Sequence, residues 1–273
     1  MCLGVLQAAA EGVRFHNEEN DTLRINQILA EEWGKPDAGN VARIGKMFLG
    51  TTYEANTLEG DGEEVLTVNL DEFDCTTFVE TVLALAYTAA EHRRSWRDFV
   101  DNLEHLRYRN GRNGGYVSRL HYPSEWVVDN SSRGMLKEVT GEMPGARHNV
   151  KTLDFMSRNA RLYTALSDSS NLAGIRKMET GLSNHRYPVV KNAQVKDKVL
   201  APYVKEGDVA LLTTSKPGLD VSHIGIIVIE DGKLHLLHAS SREKKVCVDK
   251  LTIEEYFRRF RNEGIRIVRL TVD

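Results

Sequence analysis

The chain has 273 residues, 41% hydrophobic and 27% charged, enough to bury a core of ordinary globular type. A formal net charge of -3 argues against the strongly basic face that nucleic-acid binding calls for. Three cysteines, Cys2, Cys75 and Cys247, are too few and too scattered for a disulfide framework or a zinc site, and no stretch reaches the roughly 20 apolar residues that span a bilayer.

Met1 to Ala10 is apolar and ends in small residues ahead of a polar, acidic stretch. It resembles the tail of a secretory signal that lacks its positive start, so residues 1–20 are expected to be a leader remnant and the protein to be exported, to the periplasm or cell envelope. Two amphipathic helices follow. Asp21 to Trp33 carries Leu23, Ile28, Leu29 and Trp33, with Asp21 as cap; Ala38 to Leu49 carries Val41, Ile44, Met47 and Phe48, ended by Gly50. A Gly-Asp-Gly turn at 60–62 leads into a short alternating strand from Glu64 to Leu70.

Asp71 to Tyr87 is the stretch around which the rest is organised. Phe78, Val79, Val82, Leu83 and Ala86 share a face at about 3.6 residues per turn, which predicts a helix capped by Asp74 with Cys75 in its first turn. Backbone N–H groups and the helix dipole at that position favour thiolate over thiol, so Cys75 is a candidate nucleophile. Its structural alternative is a small hydrophobe under a helix.

Ser95 to Leu106 repeats the helical pattern, and Gly111 to Tyr122 reads as an ordered loop. Ser118 to Gly134 crowds Arg119, His121, Tyr122, Trp126, Asp129 and Asn130 together, a mixture that suits sugar or peptide recognition and equally an irregular segment packed on itself. Two helical patterns span Lys151 to Asn184, and Tyr187 to Val190 is extended. The whole of 111–202 reads as an insertion.

The last third is strand-rich. Asp208 to Thr213, His223 to Ile229 and Lys233 to Ala239 are strands, the last two joined by Asp231-Gly232, a strong hairpin signal. Lys245 to Val248 and Ile265 to Val272 alternate like edge or outer strands around a helix starting near Thr252. Helices followed by an antiparallel sheet predict an α+β fold. With a two-residue hairpin loop Glu230 faces Lys233, and alternation puts His223 and His238 on one face and His235 on the other; a loop one residue longer would exchange His235 for His238. A thiol needs a base, and the base a third group to orient it, so two histidines on one face supply what Cys75 lacks.

In order, Asp74-Cys75, Ser222-His223-Ile224-Gly225-Ile226 and His238-Ala239-Ser240-Ser241 resemble the motifs of the NlpC-type papain-like cysteine peptidases among bacterial cell-wall hydrolases. Leu49 to Tyr53 resembles the segment ahead of the nucleophile. Thr76-Thr77 in place of the usual Ser-Gly, Ser118 to Tyr122, Gly218-Leu219-Asp220 and Lys244-Lys245-Val246 resemble the N-acetylmuramoyl-L-alanine amidase-like subgroup. The resemblance covers most of Ala38 to Asp273. It implies a papain-like core over 21–273, with Cys75 as nucleophile, His223 as general base and acid, and His238 as the orienting member. Tyr53 would stand beside the nucleophile, and Asp74 and Ser222 would flank the pair and grip the peptide.

No metal or organic cofactor is implied, and the oligomeric state is left open. The implied partner is a muropeptide, cut between the muramic acid lactyl group and L-alanine through a thioester. Three alternatives stand beside it: an endopeptidase cutting the stem between D-glutamate and the diamino acid, a non-catalytic wall-binding protein, and a lipid-directed acyltransferase, whose usual order of histidine before cysteine is reversed here.

Overall fold

The computed structural model describes residues 12–34, 37–59 and 63–272. Cys2, most of the expected leader and the turn at 60–62 lie outside the described residues. The first part of the chain forms β1 (Val13–Phe15), α1 (Glu18–Ala30), α2 (Ala38–Lys46), β2 (Thr52–Tyr53), β3 (Leu66–Val68), β4 (Glu72–Phe73), α3 (Cys75–Ala90) and α4 (Trp96–Arg107). Asn17, not Asp21, caps α1, its side chain accepting the Asn20 N–H at 3.2 Å. Asp21 is buried one turn in, where it accepts the backbone N–H groups of Leu70 and Asn17, each at 3.1 Å. The helix α2 stops at Lys46, and a turn carries the chain to Gly50, whose φ of +90° only glycine adopts without strain.

The middle of the chain contributes α5 (Pro123–Ser132), β5 (Leu136–Glu138), β6 (Ala146–Lys151), α6 (Phe155–Arg158), α7 (Ser169–Gly181), β7 (His185–Lys191) and α8 (Asp197–Leu200). Most of Ser118 to Gly134 is regular helix and not an irregular segment. Pro123 suits a first helical position, and α5 follows, burying Trp126, Val127 and Asn130. The end of the chain supplies β8 (Val209–Thr213), β9 (Val221–Glu230), β10 (Lys233–Ser240), β11 (Lys245–Thr252), α9 (Ile253–Phe260) and β12 (Gly264–Leu270).

The fold is α+β. One sheet runs in the order β4-β2-β11-β10-β9-β8-β12-β7-β6, with β5 also paired to β12, and only β2 with β4 is parallel. β1 and β3 form a separate parallel pair. Neither β11 nor β12 is an edge strand. β2 covers β11, while β5 and β7 cover β12, so the alternation read as an edge pattern belongs to interior strands. The 111–202 stretch therefore adds three strands to the main sheet, and it builds a small core of its own around Tyr122, Leu153, Met156 and Ile175.

Asp231 (φ 50°) and Gly232 (φ 73°) form the two-residue hairpin turn, and β9 and β10 pair from Glu230 with Lys233 to Ile226 with Leu237. That register leaves the odd-numbered residues of β9 and the even-numbered residues of β10 on one face, His223 and His238 among them. The other face, with Ile224, Ile226, Val228 and Leu237, packs on α3. Phe78, Val79, Val82 and Leu83 of α3 are fully buried, each contributing about 1.5–3 kcal/mol of apolar burial. This helix also buries Glu80, which accepts from Arg107 Nε of α4 at 2.7 Å; Arg107 Nη1 donates to the Thr67 carbonyl at 2.7 Å. Replacing Arg107 by leucine leaves the Glu80 carboxylate buried without its partner, and urea unfolding is expected to show a loss of about 3–5 kcal/mol.

Candidate active site

The sulfur of Cys75 stands where α3 meets the sheet. Asp74 caps the helix, its Oδ1 accepting the backbone N–H of Thr76 at 2.9 Å and of Thr77 at 2.8 Å. Thr77 completes a capping box by accepting the Asp74 N–H at 3.0 Å. The side chain of Thr76 donates to the Cys75 sulfur. Both residues of the Thr76-Thr77 pair therefore have work at the helix start, one on the cap and one on the thiol.

The ladder between β9 and β10 stops at Ile226 and Leu237, so Ile224 does not pair with β10. Its N–H points at the Cys75 sulfur instead. The residue before it is His223. Its Nε2 lies 2.5 Å from Nδ1 of His238, the two rings meeting edge to face with centroids 4.8 Å apart. Gly225 makes room for this meeting, since a Cβ there would stand 3.0 Å from His238 Cβ and 2.8 Å from Leu236 Cδ1.

Behind His238 the cluster continues into residues that the sequence did not flag. Nε2 of His238 is 3.5 Å from Oδ2 of Asp249, and Arg242 Nη2 donates to that same oxygen at 2.6 Å. The ring of Tyr256, from α9, stands edge-on to His238 at 6.3 Å. Asp249 follows Val248, the cross-strand partner of Leu237, where the β10–β11 register shifts, so its place beside His238 is set by strand docking and not by the sequence pattern.

Tyr53 reaches the site because β2 pairs with β4, which runs straight into Asp74. The charges of Cys75 and Asp74, after burial, hold the Tyr53 phenol above its ordinary pKa. The structure thus gathers Cys75, His223, His238, Tyr53 and Asp74. Ser222 is exposed, its hydroxyl turned to the Leu212 carbonyl at 3.4 Å rather than to the histidines. His235 is bonded elsewhere, Nδ1 lying 3.0 Å from the Asp249 carbonyl.

The electrostatics differ from the expectation for a helix-start cysteine. Burial, and then the Asp74 carboxylate, push the Cys75 thiol up to about 12, against the opposing donors Ile224 N–H, Thr76 and its own N–H. Asp74 already occupies the N–H groups of Thr76 and Thr77, and its negative charge works against a thiolate. His223 moves the other way. Burial, then His238 and Arg242, lower it to about 3, with Asp249 opposing. Both shifts disfavour the charged form.

One tautomer assignment fits these contacts. His223 Nε2–H donates to His238 Nδ1, His238 Nε2 lies 3.5 Å from Asp249 Oδ2 without completing a hydrogen bond, and Nδ1 of His223 lies outside the histidine pair. Among the described residues no group of three or more His, Cys, Asp or Glu side chains is arranged to hold a metal ion.

A family model described as AmiA-like, N-acetylmuramoyl-L-alanine amidase-like, matches residues 43–265. A crystal structure of an N-acetylmuramoyl-L-alanine amidase from Bacteroides uniformis ATCC 8492 is 39% identical, covers 85% of this chain and 99% of its own, and superposes with a TM-score of 0.81. A Bacteroides fragilis structure provisionally named a xylanase is 40% identical over 84% of this chain and 100% of its own, with a TM-score of 0.78. A Legionella pneumophila protein at 22% identity shares the fold, with a TM-score of 0.71 over 93% of this chain and 95% of its own. The comparison with curated proteins gave no match.

Two outcomes are expected from these charges. Asp74→Asn keeps a capping oxygen but removes the carboxylate, so Cys75 should be alkylated faster at a given pH, whereas Asp74→Ala should also cost about 1 kcal/mol of stability in urea unfolding. The His223 imidazole is harder to protonate folded than unfolded, so the unfolded state binds more protons from about pH 6.5 down to 3. Stability should therefore fall as the pH drops through that window, and less steeply in His223→Gln. A parallel decline in both proteins would reject the assignment.

Proposed function

The chain belongs to the N-acetylmuramoyl-L-alanine amidase-like family, and from that premise we propose that it is a cysteine amide hydrolase that separates the stem peptide of peptidoglycan fragments from muramic acid. The observation that carries this reading is the meeting at β9. The Cys75 sulfur takes the N–H of Ile224, and the adjoining His223 is bound through its other face to His238 at 2.5 Å. A nucleophile, a base and an orienting group are what acyl transfer requires.

In the proposed reaction the Cys75 proton passes to Nδ1 of His223 as the sulfur attacks the lactyl carbonyl carbon. Burial disfavours charge on both groups, so proton transfer and attack are written as one coupled step. Oxyanion charge is met by the Cys75 backbone N–H, at a helix start, and by the Tyr53 phenol, whose raised pKa keeps it a donor at neutral pH. His223 hands its proton to the departing amine of L-alanine and the C–N bond breaks. Water, deprotonated by His223, then attacks the thioester; the C–S bond breaks and the sulfur recovers the proton.

The placement in the NlpC-type papain-like superfamily, the single domain over 21–273 and an exported, envelope location form part of the same proposal. Asp74 is assigned mainly to the helix cap, and Ser222 to the rim.

Glycoside hydrolysis, which the provisional name of the Bacteroides fragilis relative would imply for that protein, needs two free carboxyl groups facing a sugar. The cleft of about 780 Å³ between 63–64, 113–116 and 164–171 contains Glu63, Glu64 and Asp168. Glu64 is bound by Tyr108 and Arg119, and Asp168 caps α7, which leaves no such pair.

Purified muropeptides analysed by mass spectrometry test the proposal. Wild type should release an intact stem peptide and a sugar ending in the lactyl carboxylate, while cleavage within the stem would transfer the assignment to an endopeptidase. Cys75→Ala should be inactive. His238→Ala should lose roughly 10²-fold or more, and His235→Ala should stay within a few-fold of wild type. The reverse order for the two histidines would sink the assignment of His238.

A further inference from the structure

Asp249 and Arg242 lie on the far side of His238 from His223. Asp249 is 6% exposed; Oδ1 accepts the Leu251 N–H at 2.9 Å, and Oδ2 is shared between Arg242 at 2.6 Å and His238 Nε2 at 3.5 Å. Arg242 comes from the turn joining β10 to β11 and is held from three sides. Its guanidinium carbon lies 4.0 Å from the Phe260 ring centroid and 5.4 Å from that of Tyr256, and the carboxylate takes one edge. The pair joins a buried carboxylate to an arginine whose side chain is 40% exposed, and its charges balance each other.

We infer that Asp249 and Arg242 form a charge-balanced couple that acts through His238 to set how readily His223 accepts the Cys75 proton. Asp249 is a positioning residue: its carboxylate holds His238 with Nε2 protonated, so that Nδ1 faces His223 as an acceptor. It also stabilises the positive charge that arrives on His223 when Sγ–H gives up its proton. Arg242 opposes that second effect, and the lowering of the His223 pKa by Arg242 and its raising by Asp249 agree with the two signs.

The other ionisable groups around this couple are Tyr256 and Arg259 of α9, Glu243 of the turn, and Lys245, Cys247 and Lys250 of β11, with Cys75 beyond Tyr256. The inference rests on the assignment of Cys75 and His223 above.

The couple is tested by the rate at which iodoacetamide alkylates Cys75 between pH 5 and 9, followed peptide by peptide by mass spectrometry so that Cys2 and Cys247 are counted separately. At a given pH the rate reports how readily Sγ gives up its proton. Asp249→Asn should lower it roughly tenfold and Arg242→Gln raise it roughly fivefold, with the double variant close to wild type. Asp249→Glu and Arg242→Lys preserve the charge balance and should stay within roughly threefold of wild type, which keeps the test available if a neutral variant fails to fold. Changes of the same sign in Asp249→Asn and Arg242→Gln would overturn the inference, as would an unchanged rate in both folded proteins. Iodoacetamide requires no muropeptide, so opposite shifts alongside a failed amidase assay would remove the substrate reading and leave the couple standing.

Discussion

The structure turns on a single unpaired stretch of backbone. β9 and β10 hydrogen-bond along the hairpin, then separate after Ile226 and Leu237, and the N–H of Ile224 goes to a sulfur rather than to a strand. A buried N–H must be satisfied somewhere, and the start of α3 provides the acceptor. The same opening lets His223 and His238 meet, with Gly225 keeping the space between them clear. Had the ladder continued, the Ile224 N–H would be taken by β10 and not by the sulfur.

Holding the thiol there has an electrostatic cost, and the neighbours show how it is divided. Burial raises Cys75 and lowers His223, so the surroundings disfavour charge on each partner. Donors already aimed at the sulfur, Ile224 N–H and Thr76, stabilise the developing charge without having to reorganise. Asp74 works against the thiolate, yet without its cap the helix would not begin at Cys75. Helix placement and thiol acidity make opposed demands on one residue.

Much of this was legible in the chain. Asp74 as cap, Cys75 in the first turn and the Asp231-Gly232 hairpin are local features with strong periodicity or turn chemistry, and the hairpin alone was enough to pair His223 with His238. What escaped was set by distant contacts. A cysteine at a helix start reads as acidic until the tertiary packing shows that it is partly buried and that the N–H groups are already taken. Asp249 is an ordinary acidic residue in an alternating strand until β11 is docked against β10. The interior positions of β11 and β12 could not be read from alternation, because the strands that cover them are the two-residue β2 and pieces of the 111–202 stretch.

That stretch also bears on the site, which a reading of it as a mere insertion misses. Arg119 donates through Nη1 to the Leu58 carbonyl at 2.9 Å and through Nη2 to Glu59 at 2.5 Å, while Glu64 stands 3.5 Å from the same guanidinium. Its charge lies 4.9 Å from the Tyr116 ring centroid, and Tyr116 in turn donates to Glu59 at 3.4 Å. Leu58 and Glu59 follow Tyr53 within one short loop, so a guanidinium sixty residues further on fixes the end of the segment that starts at the candidate oxyanion donor. The thiol and histidines are supplied by α3 and the hairpin, but the loop that follows Tyr53 is held by the middle of the chain. A change of specificity in this fold could therefore come from 111–202 without altering any residue of the Cys75, His223 and His238 cluster.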